Sequence, residues 1–81
     1  MAWNYRVIAF EHDGETTHAL HEVFYTADGK PDMYSKSPAG ISWDAAGGDA
    51  EALAVLERMR EALAKPVLTP RDFQHTEPFE S

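Results

Sequence analysis

The dipeptide Asp13-Gly14 constrains this chain more than any other feature. It separates two apolar-rich runs: residues 5–12, with Val7, Ile8 and Phe10, and residues 18–26, with Leu20, Val23, Phe24 and Tyr25. Glycine accepts a positive φ without steric penalty, so Asp-Gly between two such runs predicts a tight β-hairpin. A two-residue turn also sets the register, with Val7 opposite Leu20, Ile8 opposite Ala19 and Arg6 opposite His21. A second such dipeptide, Asp28-Gly29, leads through Lys30-Pro31 into a shorter expected strand at residues 32–36. Pro31 has no N–H to give to a ladder, so it marks a strand entrance or an edge. The simplest topology is a three-stranded antiparallel meander.

Residues 37–48 read as irregular. Ser37-Pro38-Ala39-Gly40 is a turn, Ile41 and Trp43 suit a short fourth strand or a packing plug, and Gly47-Gly48 loosens the chain. Asp49 is placed to cap a helix. Ala52, Leu56, Met59 and Leu63 recur at helical spacing and predict its inner face, broadened by Leu53 and Val55. Glu61 and Lys65 stand in the favourable i,i+4 order, and Pro66 stops the helix at about Lys65. The remaining stretch carries Pro66, Pro70 and Pro78 and no helical period. Val67 and Leu68 are expected to tuck back, with the chain mobile beyond about Phe73. The expected fold is α+β: a three-stranded antiparallel meander, with or without a short fourth strand, packed on one C-terminal helix. Residues 1–68 form the domain and 69–81 a flexible or partly docked tail.

Alternation along the strands defines two faces. The first holds Trp3, Tyr5, Val7, Ala9, Leu20, Glu22, Phe24 and Met33. The second holds Arg6, Ile8, Phe10, Ala19, His21, Val23, Tyr25, Tyr34 and Lys36; a second loop of four residues keeps Met33, Tyr34 and Lys36 on these faces, and one of three or five residues exchanges them. One helix covers one face, and the first is the more continuous. The second would then expose Ile8, Phe10, Val23 and Tyr34, an apolar patch of the kind that marks an interface, unless the tail closes over it with Val67, Leu68 and Phe73. On the same face Arg6, His21 and Lys36 form either a basic row able to take an anion or carboxylate, or three separate charges. The candidate interaction surface is therefore Arg6, Ile8, Phe10, His21, Val23, Tyr34 and Lys36.

Composition and motifs restrict the chemistry. The chain has 81 residues, no cysteine and a net charge of −7, from 14 acidic and 7 basic residues. Disulfides and thiolate metal sites are excluded. The basic residues are scattered, so direct binding to nucleic acid is not expected, whereas a basic protein partner suits the charge. The longest apolar runs, residues 7–10 and 52–56, fall far short of the ~20 residues of a membrane span. The N-terminus lacks the pattern of a secretory signal, so a cytoplasmic protein is expected. His18 and His21 point to opposite faces of a strand and cannot grip one ion. His21-Glu22 opens like a metalloprotease helix motif, but Tyr25 stands where the second histidine is needed. Ser35, Ser37 and Ser42 lie in no nucleophile elbow, and no phosphate-cradling loop is present. Glu11, Asp13 and Glu22 near the turn read as solvated acids. Neither enzymatic activity nor a cofactor is expected. In the tail, Arg71-Asp72-Phe73 and Glu77-Pro78-Phe79-Glu80 set aromatics among acids, as an unstructured end or a segment that folds on a partner.

Two resemblances follow from these residues. Asn4-Tyr5-Arg6-Val7, residues 19–25, Gly29-Lys30-Pro31 and Lys65-Pro66-Val67-Leu68 together resemble a family of small uncharacterised bacterial proteins with no assigned activity. Gly40, Ser42, Gly48-Asp49-Ala50-Glu51-Ala52-Leu53 and Glu61-Ala62-Leu63 are similar to the sheet-to-helix part of HicB-type antitoxin domains. That likeness implies inhibition of a small basic RNA-cleaving toxin. Pro38-Ala39-Gly40 departs from the family's Pro-Gly turn by an insertion, and no DNA-binding segment follows the helix.

Three functions are thus in view. The first is a non-catalytic interaction or regulatory module that uses an uncovered sheet face or edge, with a protein or a second copy as partner. The second is an antitoxin-like inhibitor of a small basic nuclease. The third is a small ligand binder or enzyme built around His21.

Overall fold

Asp13 and Gly14 take φ values of 49° and 80°, the two positive angles a type I′ turn requires. The turn joins β1 (Trp3–His12) to β2 (Glu15–Tyr25) in one antiparallel ladder running from Trp3↔Phe24 to His12↔Glu15. Val7 pairs with Leu20, Ile8 with Ala19 and Arg6 with His21, the register expected from a two-residue turn. These details come from a computed structural model, which describes residues 2–75.

The second turn uses Gly29 at a φ of 83°, and Thr26 N–H donates to the Lys30 carbonyl at 2.8 Å. It leads into β3 (Pro31–Tyr34), which pairs antiparallel with β2 through Val23↔Tyr34 and Phe24↔Met33. A register irregularity between Phe24 and Tyr25 takes up the extra residue of the connection. The face assignments therefore hold: Tyr34 shares a face with Val23 and Ile8. The sheet order is β1-β2-β3, and Pro31 opens the edge strand, where its missing N–H is harmless.

No fourth strand forms at Ile41 and Trp43. Both side chains are exposed, and the chain there is irregular before a turn of 3-10 helix at Ala45–Gly47. The one α-helix among the described residues, α1 (Ala50–Leu63), packs mainly against β1. Asp49 stands at the N-cap position, where its carbonyl accepts from Leu53 N–H at 3.0 Å. Its side chain does not cap. It accepts from the Trp43 indole Nε1–H at 3.2 Å instead.

The helix is also rolled relative to the expected face. Ala52 and Ala62 are buried and Val55 and Met59 half-buried, whereas Leu56 and Leu63 are exposed. Both stripes have helical spacing, so periodicity does not choose between them. The small side chains at 52 and 62 permit a close seat over β1, where Val7 is buried.

The largest correction concerns the second sheet face. It is not left open: Ile8, Val23 and Tyr34 are buried together with Phe73, and Phe10, Tyr25 and Leu68 pack around them. The chain reaches this place as a strap, residues 66–75. Arg6 Nη2 donates to the Pro66 carbonyl at 2.8 Å, where the chain leaves the helix. Leu68 then bridges Ile8 in parallel, donating to Val7 O at 2.9 Å and accepting from Ala9 N at 2.8 Å. Thr69 N–H donates to the Asp72 carboxylate at 2.7 Å, shaping the 3-10 turn Pro70–Asp72. The Phe73 ring lies 4.7 Å from that of Tyr34, and His75 N–H donates to Asp32 O at 3.0 Å. One segment thus pairs with the outer edge of β1, crosses the apolar face and ends on β3. Residues 69–75 are docked on the sheet, the second of the two arrangements expected for the segment that begins at 69. The Glu77-Pro78-Phe79-Glu80 segment lies outside the described residues.

A chain of this length has a stability of roughly 4–12 kcal/mol, so loss of the strap's anchor weighs heavily. Phe73→Ala is expected to lower unfolding free energy by about 3 kcal/mol in urea titrations. Val67→Ala, at an exposed position of the same segment, is expected to change it by less than about 0.5 kcal/mol. Equal effects of the two would contradict the strap's role.

Candidate functional site

The seven residues of the expected interaction surface do not form one. Ile8, Val23 and Tyr34 are core, Phe10 is half-buried beneath the strap, and His21 is 3% exposed. Arg6 is partly buried, with Nη1 donating to the Tyr25 hydroxyl at 3.2 Å while that hydroxyl donates to Asn4 Oδ1 at 2.6 Å. Its Nε is buried without a partner. Lys36 is exposed. The basic row is therefore divided between core and surface and presents no common anion site.

His21 and Ser35 do come together, and their chemistry decides what they can do. His21 Nδ1 lies 2.7 Å from the Ser35 carbonyl oxygen, which can only accept, so Nδ1 carries the proton. Ser35 Oγ donates to Ser37 O at 2.9 Å and accepts from Glu22 N–H at 3.2 Å. It also lies 3.3 Å from His21 Nδ1, but a protonated nitrogen cannot take the hydroxyl proton. Ser35 is fully buried as well. The imidazole is packed as an aromatic, with centroids 5.2 Å from Phe10 and 5.7 Å from Tyr34. The pair is a clamp that ties the end of β3 to β2. Hollows open elsewhere, away from His21. One of about 410 Å³ lies among Ala9, Glu11, Thr16 and Arg71, and one of about 180 Å³ among Trp3, Tyr5, Arg58 and Lys65. The burial of His21 removes the access that a ligand site centred on it requires.

The surface that stands out instead lies on α1. Leu53, Leu56 and Leu63 are 66%, 49% and 69% exposed. With Asp49 and Arg60 they fall at alternating steps of four and three residues, so they share one flank of the helix beside its seated face. Trp43, tied to the Asp49 side chain and 44% exposed, extends the row past the first turn. Val67, in the segment that follows the helix, is exposed as well. Single exposed apolar residues are ordinary, but a row of leucines ended by a tryptophan is the composition of a contact surface. Full burial of a leucine stabilises by roughly 1.5–3 kcal/mol, so these three half-exposed side chains leave roughly 3–5 kcal/mol unused. The sequence did carry a signal for this. Its helix holds two overlapping apolar stripes, 52-55-59-62 and 53-56-63, more than one seat on a sheet consumes.

Compared with protein-family models, with curated proteins and with solved structures, the chain matches none of them. Among the described residues no helix is long and apolar enough to cross a membrane, and no three metal-ligating side chains cluster.

The clamp and the flank predict opposite sensitivities. Ser35→Ala strands the Glu22 N–H and is expected to destabilise by about 1–3 kcal/mol in urea unfolding. Leu63→Gln, measured in dilute solution, is expected to stay within about 0.5 kcal/mol of the unaltered chain.

Proposed function

We propose that this chain is a non-catalytic protein-interaction module whose contact surface is the leucine flank of α1, not the sheet. The observation that carries this is the row Leu53, Leu56 and Leu63, left at half exposure or more while the helix seats on its alanines. The charge of the helix supports it. The row itself carries one charge of each sign, Asp49 and Arg60, and Arg60 is further paired with Glu57 at 3.7 Å, in a chain of net charge −7. Desolvating such a surface therefore removes few unpaired charges from water. A non-catalytic role accords with the way His21 and Ser35 are used, since the donor and acceptor positions a nucleophile and its base would need are already engaged in holding the fold.

A photo-reactive amino acid placed at Leu56 or at Ala54, on the opposite side of the helix, tests this in cells. Adducts are expected from position 56 and not from position 54, and are expected to disappear when Leu53→Glu and Leu63→Glu are added. Equal labelling from both positions would overturn the assignment.

A further inference from the structure

We infer that the partner of the leucine flank is the same flank of a second copy, with the two helices antiparallel. This inference rests on the interaction role proposed above and adds the identity of the occupant. It follows from the symmetry of the row. Leu53 and Leu63 stand five residues either side of position 58, and Leu56 and Arg60 stand two residues either side of it. An antiparallel helix pair with its two-fold axis at that level sets Leu53 against the other copy's Leu63. It sets Leu56 against the aliphatic stem of the other copy's Arg60. Each of these contacts then occurs twice, as an isologous interface requires.

Charge selects this orientation over its alternative. Parallel helices would place the two Arg60 side chains directly across the seam, like charge on like. Antiparallel helices bring Arg60 beside the other copy's Glu57, the residue it already faces within its own chain at 3.7 Å. That in-chain pair is exposed on both sides, so exchanging it between copies sacrifices little. Along the seam itself Asp49 and Arg60 contribute one charge of each sign, so the net charge of −7 is carried elsewhere on each chain. The seam is short beside the ~800 Å² per partner of a standard interface, so association is expected to be weak, with a Kd on the order of 100 µM.

The chain contains no cysteine, so introduced cysteines report on the seam without background. Sedimentation equilibrium from about 10 µM to about 1 mM is expected to show the mean mass rising from one chain toward two, with Leu56→Glu raising the Kd at least ~10-fold at unchanged circular dichroism. Under mild oxidation, a mixture of Leu53→Cys and Leu63→Cys chains is expected to form the mixed disulfide, and Leu53→Cys alone to form little. A chain that stays monomeric at the top concentration would overturn the inference. So would a dimer indifferent to Leu56→Glu, or Leu53→Cys chains that link to one another as readily as to Leu63→Cys chains. If the monomer is accompanied by position-56 adducts to a different polypeptide, the second copy is ruled out and the contact surface stands. If neither dimer nor adducts occur, both fall.

Discussion

The segment formed by residues 66–75 carries burdens that elsewhere fall to separate elements. A three-stranded sheet has two faces to cover and two outer edges with unpaired backbone groups, and a single helix serves one face only. The strap brings Phe73 onto Tyr34 above Ile8 and Val23, so the main core lies between strap and sheet rather than between helix and sheet. Its backbone pairs with Val7 and Ala9 on one outer strand and with Asp32 on the other. Arg6, donating to the Pro66 carbonyl, holds the point at which the chain turns from helix into strap. Closing a loop of that length costs little more than closing a short one, since the entropy grows only with the logarithm of its length. The apolar burial and the backbone hydrogen bonds so gained offset it.

Once the strap supplies the core, the helix is released from doing so. Its buried residues are two alanines, and the leucines beside them stay in water. The mismatch between apolar surface and available cover therefore persists, but at a different place. The sheet face that carries Ile8 and Val23 is sealed, and the surplus sits on the outside of α1 and at Trp43. The same reorganisation gives His21 its role. Enclosed by Phe10 and Tyr34 and donating to the Ser35 carbonyl, it joins the end of β3 to the rest of the sheet.

Much of the sheet was legible because its determinants are local. Asp13-Gly14 can take two successive positive φ angles, and that alone aligns Ile8 with Ala19 and every pair along the hairpin. Pro31 at the entrance of β3 and Pro66 just beyond α1 act through their own missing N–H groups. The candidate site was legible only in outline. The sequence shows apolar residues on two sides of the sheet and on more than one side of the helix, but not which are left over. Asp49 illustrates the limit: its cap position was readable, yet its carboxylate is engaged by Trp43, a contact no cap rule contains.

By itself the sequence determined the first hairpin and its register, the alternation of residues between faces along each strand, the existence of the helix and roughly where it stops; the faces of the third strand depended on the length of the second loop. These depend on turn chemistry, on strict alternation and on ring constraints, each acting over a few residues. Only the tertiary structure decided that Phe73 covers Ile8 and Val23, that α1 seats on Ala52 and Ala62, and that Leu53, Leu56 and Leu63 face outward. Burial is a competition among all the apolar groups of the chain for a limited enclosed volume. Its outcome depends on contacts between residues as far apart as Arg6 and Pro66, which no local pattern encodes.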